Sequence, residues 1–171
     1  MVLFDDAVRR YLKPAGQPSQ LKELLHLLDV TPAREKSDLG LVFNDLAERF
    51  KKRGIVAVFS DMFDDVSRVV NGLKHFRHRR HEVIVFHVLD PAELDFPFRD
   101  TTLFKGLEEM PAILTDPHAL KRAYQDELKS FLKQLEKACR MADIDYVPLR
   151  TDQNLDVALS GYLASRSGRI R

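Results

Sequence analysis

Three aspartates that follow a short apolar run are the residues of this sequence best placed to do chemistry. Asp61, Asp64 and Asp65 come directly after residues 55–59, whose unbroken apolar character predicts a parallel strand covered on both faces. In open α/β sheets, ligands bind at the loop that follows the carboxyl end of a strand. Because carboxylate oxygens are preferred ligands of Mg²⁺, we expect an acidic site at this loop.

The acidic residues and a nearby serine also have structural interpretations. Asp64 and Asp65 immediately precede a predicted helix, where carboxylates cap amide groups and favour the positive end of the helix dipole, and for this pair we favour capping. Asp61 lies ahead of the cap position, so a metal or ligand role stays open beside a structural one. Ser37 also precedes a predicted helix. Its hydroxyl could cap that helix or reach a metal bound beside Asp61, and the sequence leaves both alternatives open.

A basic cluster, residues 74–81 (KHFRHRRH), lies at the end of a predicted helix. The spacing of His75, His78 and His81 could place these side chains on one face for a metal. However, no carboxylate or cysteine accompanies them, and a cationic last turn already complements the helix dipole. We therefore favour a structural role over metal or nucleic-acid binding.

Two strand ends together resemble the phosphate-accepting receiver domains. Paired acids end the apolar segment of residues 3–6 (LFDD), and Asp61 ends a later one. Receivers also place a lysine at the end of a late strand, whereas this chain has residues 148–151 (PLRT) there. The departure argues against a receiver.

The composition is that of a cytoplasmic protein that binds neither nucleic acid nor membranes. The 171 residues carry 27 basic and 26 acidic side chains, so the net charge of +1 provides no polyelectrolyte surface. The single cysteine, Cys139, excludes an internal disulfide and a cysteine-based zinc site, and its helical surroundings favour a buried structural thiol. No apolar run could span a bilayer, and the first residues do not form a signal peptide.

Hydrophobic periodicity predicts alternating strands and helices. We expect strands at residues 2–4, 7–12, 55–59, 83–89 and 144–149, with a turn at residues 5–6 and a hairpin within residues 95–112. Helical spacing appears after Ser19, which we expect to cap the first helix, and after Ser37. It also appears over residues 66–76, from Asp116 to Cys139, and over residues 155–163. The residues from 165 onwards are polar and expected to fray.

This alternation predicts an α/β fold. The sheet should be doubly wound and mostly parallel, with helices on both faces and residues 55–59, 83–89 and 144–149 as neighbours in that order. We expect a single domain over residues 1–165 and a disordered tail over residues 166–171.

Several segments resemble one bacterial family. Residues 81–98 (HEVIVFHVLDPAELDFPF) resemble the signature of the "domain of unknown function 58" proteins, and residues 59–65 (FSDMFDD), 145–146 (DY) and 155–163 fit as well. The resemblance implies a von Willebrand factor A-like, Rossmann-like core. It also implies a cation site at the carboxyl edge of the sheet, the metal-ion-dependent adhesion site. By position, Ser37 would match its hydroxyl ligand and Asp61 its final aspartate, with Asp64 as an accessory residue.

The sequence departs from this family at one point. The site also needs an Asp-x-Ser-x-Ser motif from the first strand, and none occurs in the chain. Residues 2–4 resemble the second strand, so we expect a carboxyl-terminal portion of such a protein, either a fragment or a gene start assigned to an internal methionine. With at most two protein ligands left, we expect Mg²⁺ binding to be weak or absent.

The resemblance implies a non-enzymatic protein-interaction module that works alongside MoxR-type AAA+ ATPases, with a partner's carboxylate completing the coordination of the cation. The alternative is a metal-assisted phosphoryl-transfer or hydrolytic enzyme that uses Asp61, with Asp64 as a second ligand. A truncated chain without activity is a third possibility. If residues 2–4 and 55–59 flank a missing strand, their exposed edges favour a homodimer.

Overall fold

The computed structural model describes residues 1–31, 37–104 and 113–169. Its strands are β1 (Val2–Phe4), β2 (Val8–Tyr11), β3 (Ile55–Ser60), β4 (Glu82–Leu89), β5 (Thr102–Phe104), β6 (Ile113–Thr115) and β7 (Asp145–Arg150). Its helices are α1 (Ser19–Val30), α2 (Leu39–Arg49), α3 (Val66–His78), α4 (Pro91–Asp95), α5 (Pro117–Met141) and α6 (Leu155–Arg169).

The centre of the molecule is a parallel sheet of three strands in the order β3-β4-β7. Helix α3 connects β3 to β4, and α5 lies between β4 and β7 along the chain. Parallel neighbours need such crossover connections. The predicted α/β class, the three segments and their order across the sheet are all confirmed.

One face of the sheet is covered by α2, α3 and α5. The buried residues of this main core include Phe43 on α2, Leu73 and Phe76 on α3, Val85 on β4 and Leu135 on α5. Helices α2 and α3 approach closely because Gly72 has no side chain: a Cβ placed there would lie 2.8 Å from the Cβ of Phe43. The amphipathic patterns of these helices thus become one apolar layer.

The opposite face is covered by α6 over β4 and β7. A smaller core joins Ile84, Phe86, Val147 and Leu149 to one side of this helix. The helix does not cover β3, where Ile55 is 62% exposed and Phe59 is 59% exposed. The prediction that residues 55–59 are covered on both faces is therefore wrong within the described ranges. Strand β4, by contrast, is buried along most of its length.

The first two strands form a separate antiparallel hairpin. The turn at residues 5–6 is as predicted, and Phe4 packs edge-on against Phe43 of α2 with ring centroids 5.8 Å apart. The hairpin thus extends the main core without pairing with β3. Helix α1 follows the hairpin and buries none of its residues, although Leu21, Leu25 and Leu28 have helical spacing.

Two helix starts differ from the prediction. Pro18, rather than Ser19, is at the N-cap of α1, and its side chain accepts no hydrogen bond. Asp38, rather than Ser37, caps α2, because its carboxylate accepts a hydrogen bond from the Leu41 amide. The carboxylate of Asp38 thus has the capping role that was considered for the hydroxyl of Ser37.

The remaining elements lie near the carboxyl ends of β4 and β7. Asp90 directly follows β4 and caps the short helix α4, which was not predicted from the sequence. Strands β5 and β6 pair as an antiparallel hairpin, but β6 lies beyond the range of residues 95–112 in which the hairpin was predicted. The connection of the hairpin, residues 105–112, lies outside the described residues. Helix α6 continues past Leu163 to Arg169, and Arg166 forms an ion pair with Glu82. No described helix has both the length and the apolar character needed to cross a membrane.

Candidate functional site at the carboxyl end of β3

The loop of residues 60–65 joins β3 to α3 and is held firmly from inside the protein. Met62 at its centre is fully buried and has a positive φ of 54°, a conformation that side chains other than glycine seldom adopt. The Met62 amide donates a hydrogen bond to Oγ of Ser60 at 3.0 Å. The buried methionine therefore fixes the loop on the main core.

A buried histidine on β4 binds the same loop from the interior of the protein. His87 on β4 is fully buried, and its Nε2 lies 2.7 Å from the carbonyl oxygen of Asp61. Since a carbonyl can only accept, Nε2 donates, and Nδ1 of the neutral ring accepts from the Tyr146 hydroxyl at 2.6 Å. Burial lowers the pKa of His87, opposed by its bond to Asp61, and burial raises the pKa of Tyr146.

Two of the three loop aspartates accept amide hydrogens at helix starts. Asp65 caps α3, because its Oδ1 accepts from the Arg68 amide at 2.9 Å. Asp64 binds the start of α2, whose N-cap is Asp38, since its Oδ2 accepts from the Leu39 amide at 3.0 Å, and its Oδ1 accepts from the Asp65 amide at 2.6 Å. Capping was favoured for both residues, but the helix that Asp64 serves is a different one from the helix it precedes.

A charged pair strengthens this junction of α2 and α3. Arg68 on α3 reaches both carboxylate oxygens of Asp38 at 2.8 and 2.7 Å. The Leu41 amide and this guanidinium hold the pKa of Asp38 below its ordinary value. The pair is partly exposed, so its main effect is to fix the orientation of the two helix starts.

Asp61, Phe63 and Asp65 are the exposed residues of this loop, and of these Asp65 is engaged as the cap of α3. Oδ1 of Asp61 accepts long hydrogen bonds, both of 3.3 Å, from Oγ of Ser60 and from the Phe63 amide. Phe63 is 73% exposed, although the loop on both sides of it is anchored. An exposed aromatic ring beside a carboxylate is the most prominent feature of this edge of the sheet.

The role of Ser37 and Asp61 as metal ligands stays a prediction. The Leu39 amide donates a hydrogen bond to Asp64, which joins the start of α2 to the loop that carries Asp61. Yet the described ranges contain no group of three histidine, cysteine or acidic side chains arranged to hold a metal. Both oxygens of Asp64 accept amide hydrogens. A cation at Asp61 therefore needs ligands from beyond these residues.

The receiver-like pattern is not assembled. The carboxylate of Asp5 is paired with Arg9 at 2.6 Å, and this bond lowers the pKa of Asp5 to about 2. At the end of β7, Arg150 pairs with Asp95 and Asp152, each at 3.0 Å. Asp5 and Arg150 therefore each form ion pairs with neighbouring side chains.

The basic cluster and the cysteine also have structural roles. His81 is buried, with Nε2 3.3 Å from the Phe50 carbonyl, whereas His75 and His78 are exposed with ring centroids 6.3 Å apart. The three histidines therefore do not converge. Cys139 is fully buried, and burial raises its pKa to about 11, so the prediction of a structural thiol is confirmed.

Comparison with known proteins identifies one family. The family model described as "Protein of unknown function DUF58" matches residues 1–131, which include the hairpin, the 60–65 loop and most of α5. Neither the curated proteins nor the solved structures gave a match.

Proposed function

This chain belongs to the DUF58 family, and from this premise we propose that it is a non-enzymatic protein-interaction module with a von Willebrand factor A-like core. The binding surface is the loop of residues 60–65 at the carboxyl end of β3. Ligands of open α/β sheets bind at this position. The family resemblance adds the class of partner, a MoxR-type AAA+ ATPase.

The observation that carries the proposal is the exposure of Phe63 on an anchored loop. Met62 is buried on one side of this ring, and Asp64 is bonded to α2 on the other. A ring held out in this way loses little conformational freedom on binding, and aromatic residues are among the commonest anchors of protein interfaces. Asp61 beside it supplies a negative charge for the rim of the interface.

No observation on the described residues favours the enzyme alternative. His87 contacts the Asp61 carbonyl, but both of its ring nitrogens are engaged and it lies inside the core. Asp64, the second metal ligand in the enzyme alternative, accepts amide hydrogens with both of its carboxylate oxygens. In an enzyme the catalytic base or nucleophile has to contact the reacting atoms, which a side chain that is buried and already hydrogen-bonded does not do.

A cation belongs to this proposal only as part of the complex. Ser37 and Asp61 are the side chains proposed as its ligands, with Asp64 as an accessory residue. A hard divalent cation takes six or more oxygen ligands, so a carboxylate of the partner would have to complete the set. We therefore expect weak or absent Mg²⁺ binding by the chain alone.

Binding to a purified MoxR-type ATPase, measured by interferometry, tests this function. Phe63→Ala should weaken binding roughly tenfold or more, because truncating an aromatic anchor removes contacts that no neighbour replaces. Asp61→Asn should weaken it in the presence of millimolar Mg²⁺ and less in its absence. Met141→Ala is the matched control, since Met141 is 78% exposed but lies at the end of α5.

Calorimetric titration of the isolated chain with Mg²⁺ completes the test. Tight binding that is lost in Asp61→Ala would show a resident metal site and favour the enzyme alternative. Equal affinity of wild type, Phe63→Ala and Asp61→Asn for the ATPase would refute the proposed surface.

A further inference from the structure

In the described part of the chain, the outer edge of β3 is open, because its one neighbour there is β4. The Glu82 amide donates to the Gly54 carbonyl at 3.0 Å, so the peptide groups of the even-numbered residues of β3 face β4. Those of the odd-numbered residues point to the open edge: Ile55, Ala57 and Phe59. An uncovered row of this kind is a template for pairing with another strand.

The side chains of the same residues form an apolar strip on the uncovered face. Ile55 and Phe59 are more than half exposed, and Ala57 between them is exposed as well. Edge strands of monomeric proteins are commonly protected by a charge or a proline within the strand. The six residues of β3 contain neither.

The charges that flank β3 are of opposite sign at its two ends. Residues 51–53 (KKR) precede it, and all three side chains are exposed. Asp61 and Asp65 follow it and are exposed too. A strand with a basic start and an acidic end is self-complementary when it pairs with a copy of itself in the antiparallel direction.

We propose that β3 pairs with β3 of a second copy of this chain, forming one continuous six-stranded sheet across a two-fold axis. The axis passes beside Ala57, so that Ile55 lies opposite Phe59 of the second copy. In this register Arg53 lies opposite Asp61 of the second copy. The peptide groups that meet across the axis are those of the odd-numbered residues, which the open edge presents.

This register satisfies three requirements at once. The free donors and acceptors find partners, the two apolar strips meet on the same face, and each basic flank meets an acidic one. Pairing of opposite charges across strands contributes modestly, so backbone pairing and apolar contact carry most of the association. Since the contact is small, the dimer should dissociate on dilution.

Light scattering after size-exclusion chromatography, over a range of concentrations, tests the backbone pairing. The wild-type chain should have the mass of a dimer at high concentration. Ala57→Pro removes one amide donor from each copy beside the axis while sparing the bonds to β4, and should raise the dissociation constant at least roughly tenfold. Ala57→Val keeps the amide and is the matched control, which should dimerise like wild type.

Charge reversal tests the register. Arg53→Asp places acids opposite acids at two symmetric positions and should weaken the dimer roughly tenfold, and Asp61→Arg should weaken it similarly. The double variant restores opposite charges and should recover wild-type affinity. Circular dichroism of each variant separates loss of association from loss of fold.

Two outcomes would overturn the inference. A wild-type monomer at every concentration would leave the β3 edge to a strand from a different protein. A dimer that Ala57→Pro and both single reversals leave unchanged would place the interface elsewhere.

Discussion

At the scale of single residues, His87 links the interior of the sheet to the candidate loop. It is a titratable group inside an apolar strand, and its two hydrogen bonds use the neutral ring fully. Proton uptake would place a charge in the core and disturb the bond to Tyr146. Because Nε2 carries a proton in both forms, the bond to the Asp61 carbonyl survives proton uptake, and the change falls on the bond to Tyr146.

The stability of the protein should reflect this histidine. The folded-state pKa of His87 lies below the ordinary value of 6.5, so the unfolded chain binds the proton more readily. The contribution of His87 is then fully present above about pH 6.5 and lost as the pH falls through the lowered folded-state pKa. Urea unfolding at several pH values should show a shallower decline in His87→Gln than in wild type.

The glutamine variant should also be less stable near pH 8, by roughly 1–3 kcal/mol, because it cannot reproduce both buried hydrogen bonds. Tyr146→Phe retains the titrating ring and serves as the control, which should keep a pH-dependent decline below pH 6.5. Parallel pH profiles for wild type and His87→Gln would show that another group governs the acid transition.

The sequence indicated only part of this site. Asp61 follows a strand in the primary structure, so its place at the sheet edge could be predicted. The partner of Asp64 could not, because the Leu39 amide lies 25 residues away and only packing of α2 on α3 brings it close. The one available signal for His87 was a polar residue within an apolar run, and a run of that kind does not show which face a side chain occupies.

At the scale of elements, α2 and α3 pack closely against each other at Gly72. The glycine is buried, and the added methyl group of alanine would lie 2.8 Å from the Cβ of Phe43. The two helices would have to move apart, which would loosen a layer that also holds Phe76 and the hairpin.

Gly72→Ala should therefore destabilise the protein, by about 1–3 kcal/mol as for other overpacked cores. Gly161→Ala is the matched control, since Gly161 is in α6 with no atom within 4 Å of the added Cβ. Alanine favours helix more than glycine does, so this variant should gain up to about 1 kcal/mol. Thermal unfolding of both variants measures the difference, and a stabilised Gly72→Ala would show that the helices separate easily.

The parallel strands were predictable because their apolar runs are local, whereas the exposure of β3 was not. An apolar run predicts burial, but the helix that covers a strand comes from elsewhere in the chain. Helix α6 reaches Phe86 on β4 through Tyr162 and stops short of Ile55 and Ala57. The sequence around Ile55 and Ala57 does not indicate how far α6 extends over the sheet.

At the scale of the whole molecule, the sheet is protected unevenly. Among the residues that the structure describes, strand β4 has a neighbour on each edge and helices over both faces, whereas β3 has one neighbour and one covered face. Local opening should therefore begin at β3, where few contacts resist it.

Amide hydrogen exchange should show this gradient within one strand. In dilute protein, the amides of Ala57 and Phe59 should exchange quickly, because they point to the open edge, while those of Val56 and Val58 are bonded to β4 and should be protected. At dimer-forming concentrations Ala57 and Phe59 should become protected as well. Equal protection of all four amides in dilute protein would contradict the alternation.

The order of the strands in the sheet has a consequence for synthesis on the ribosome. The order of β3, β4 and β7 across the sheet is the same as their order along the chain. Each of these strands can therefore pair with the strand of the same sheet that was translated before it. The unit β3-α3-β4 can form before β7 has been translated. Until then β4, which is buried along most of its length in the folded protein, is an edge strand with an unpaired row of peptide groups. A nascent chain paused within α5 would therefore expose β4 to other chains, and at that stage it would have the greatest need of a chaperone.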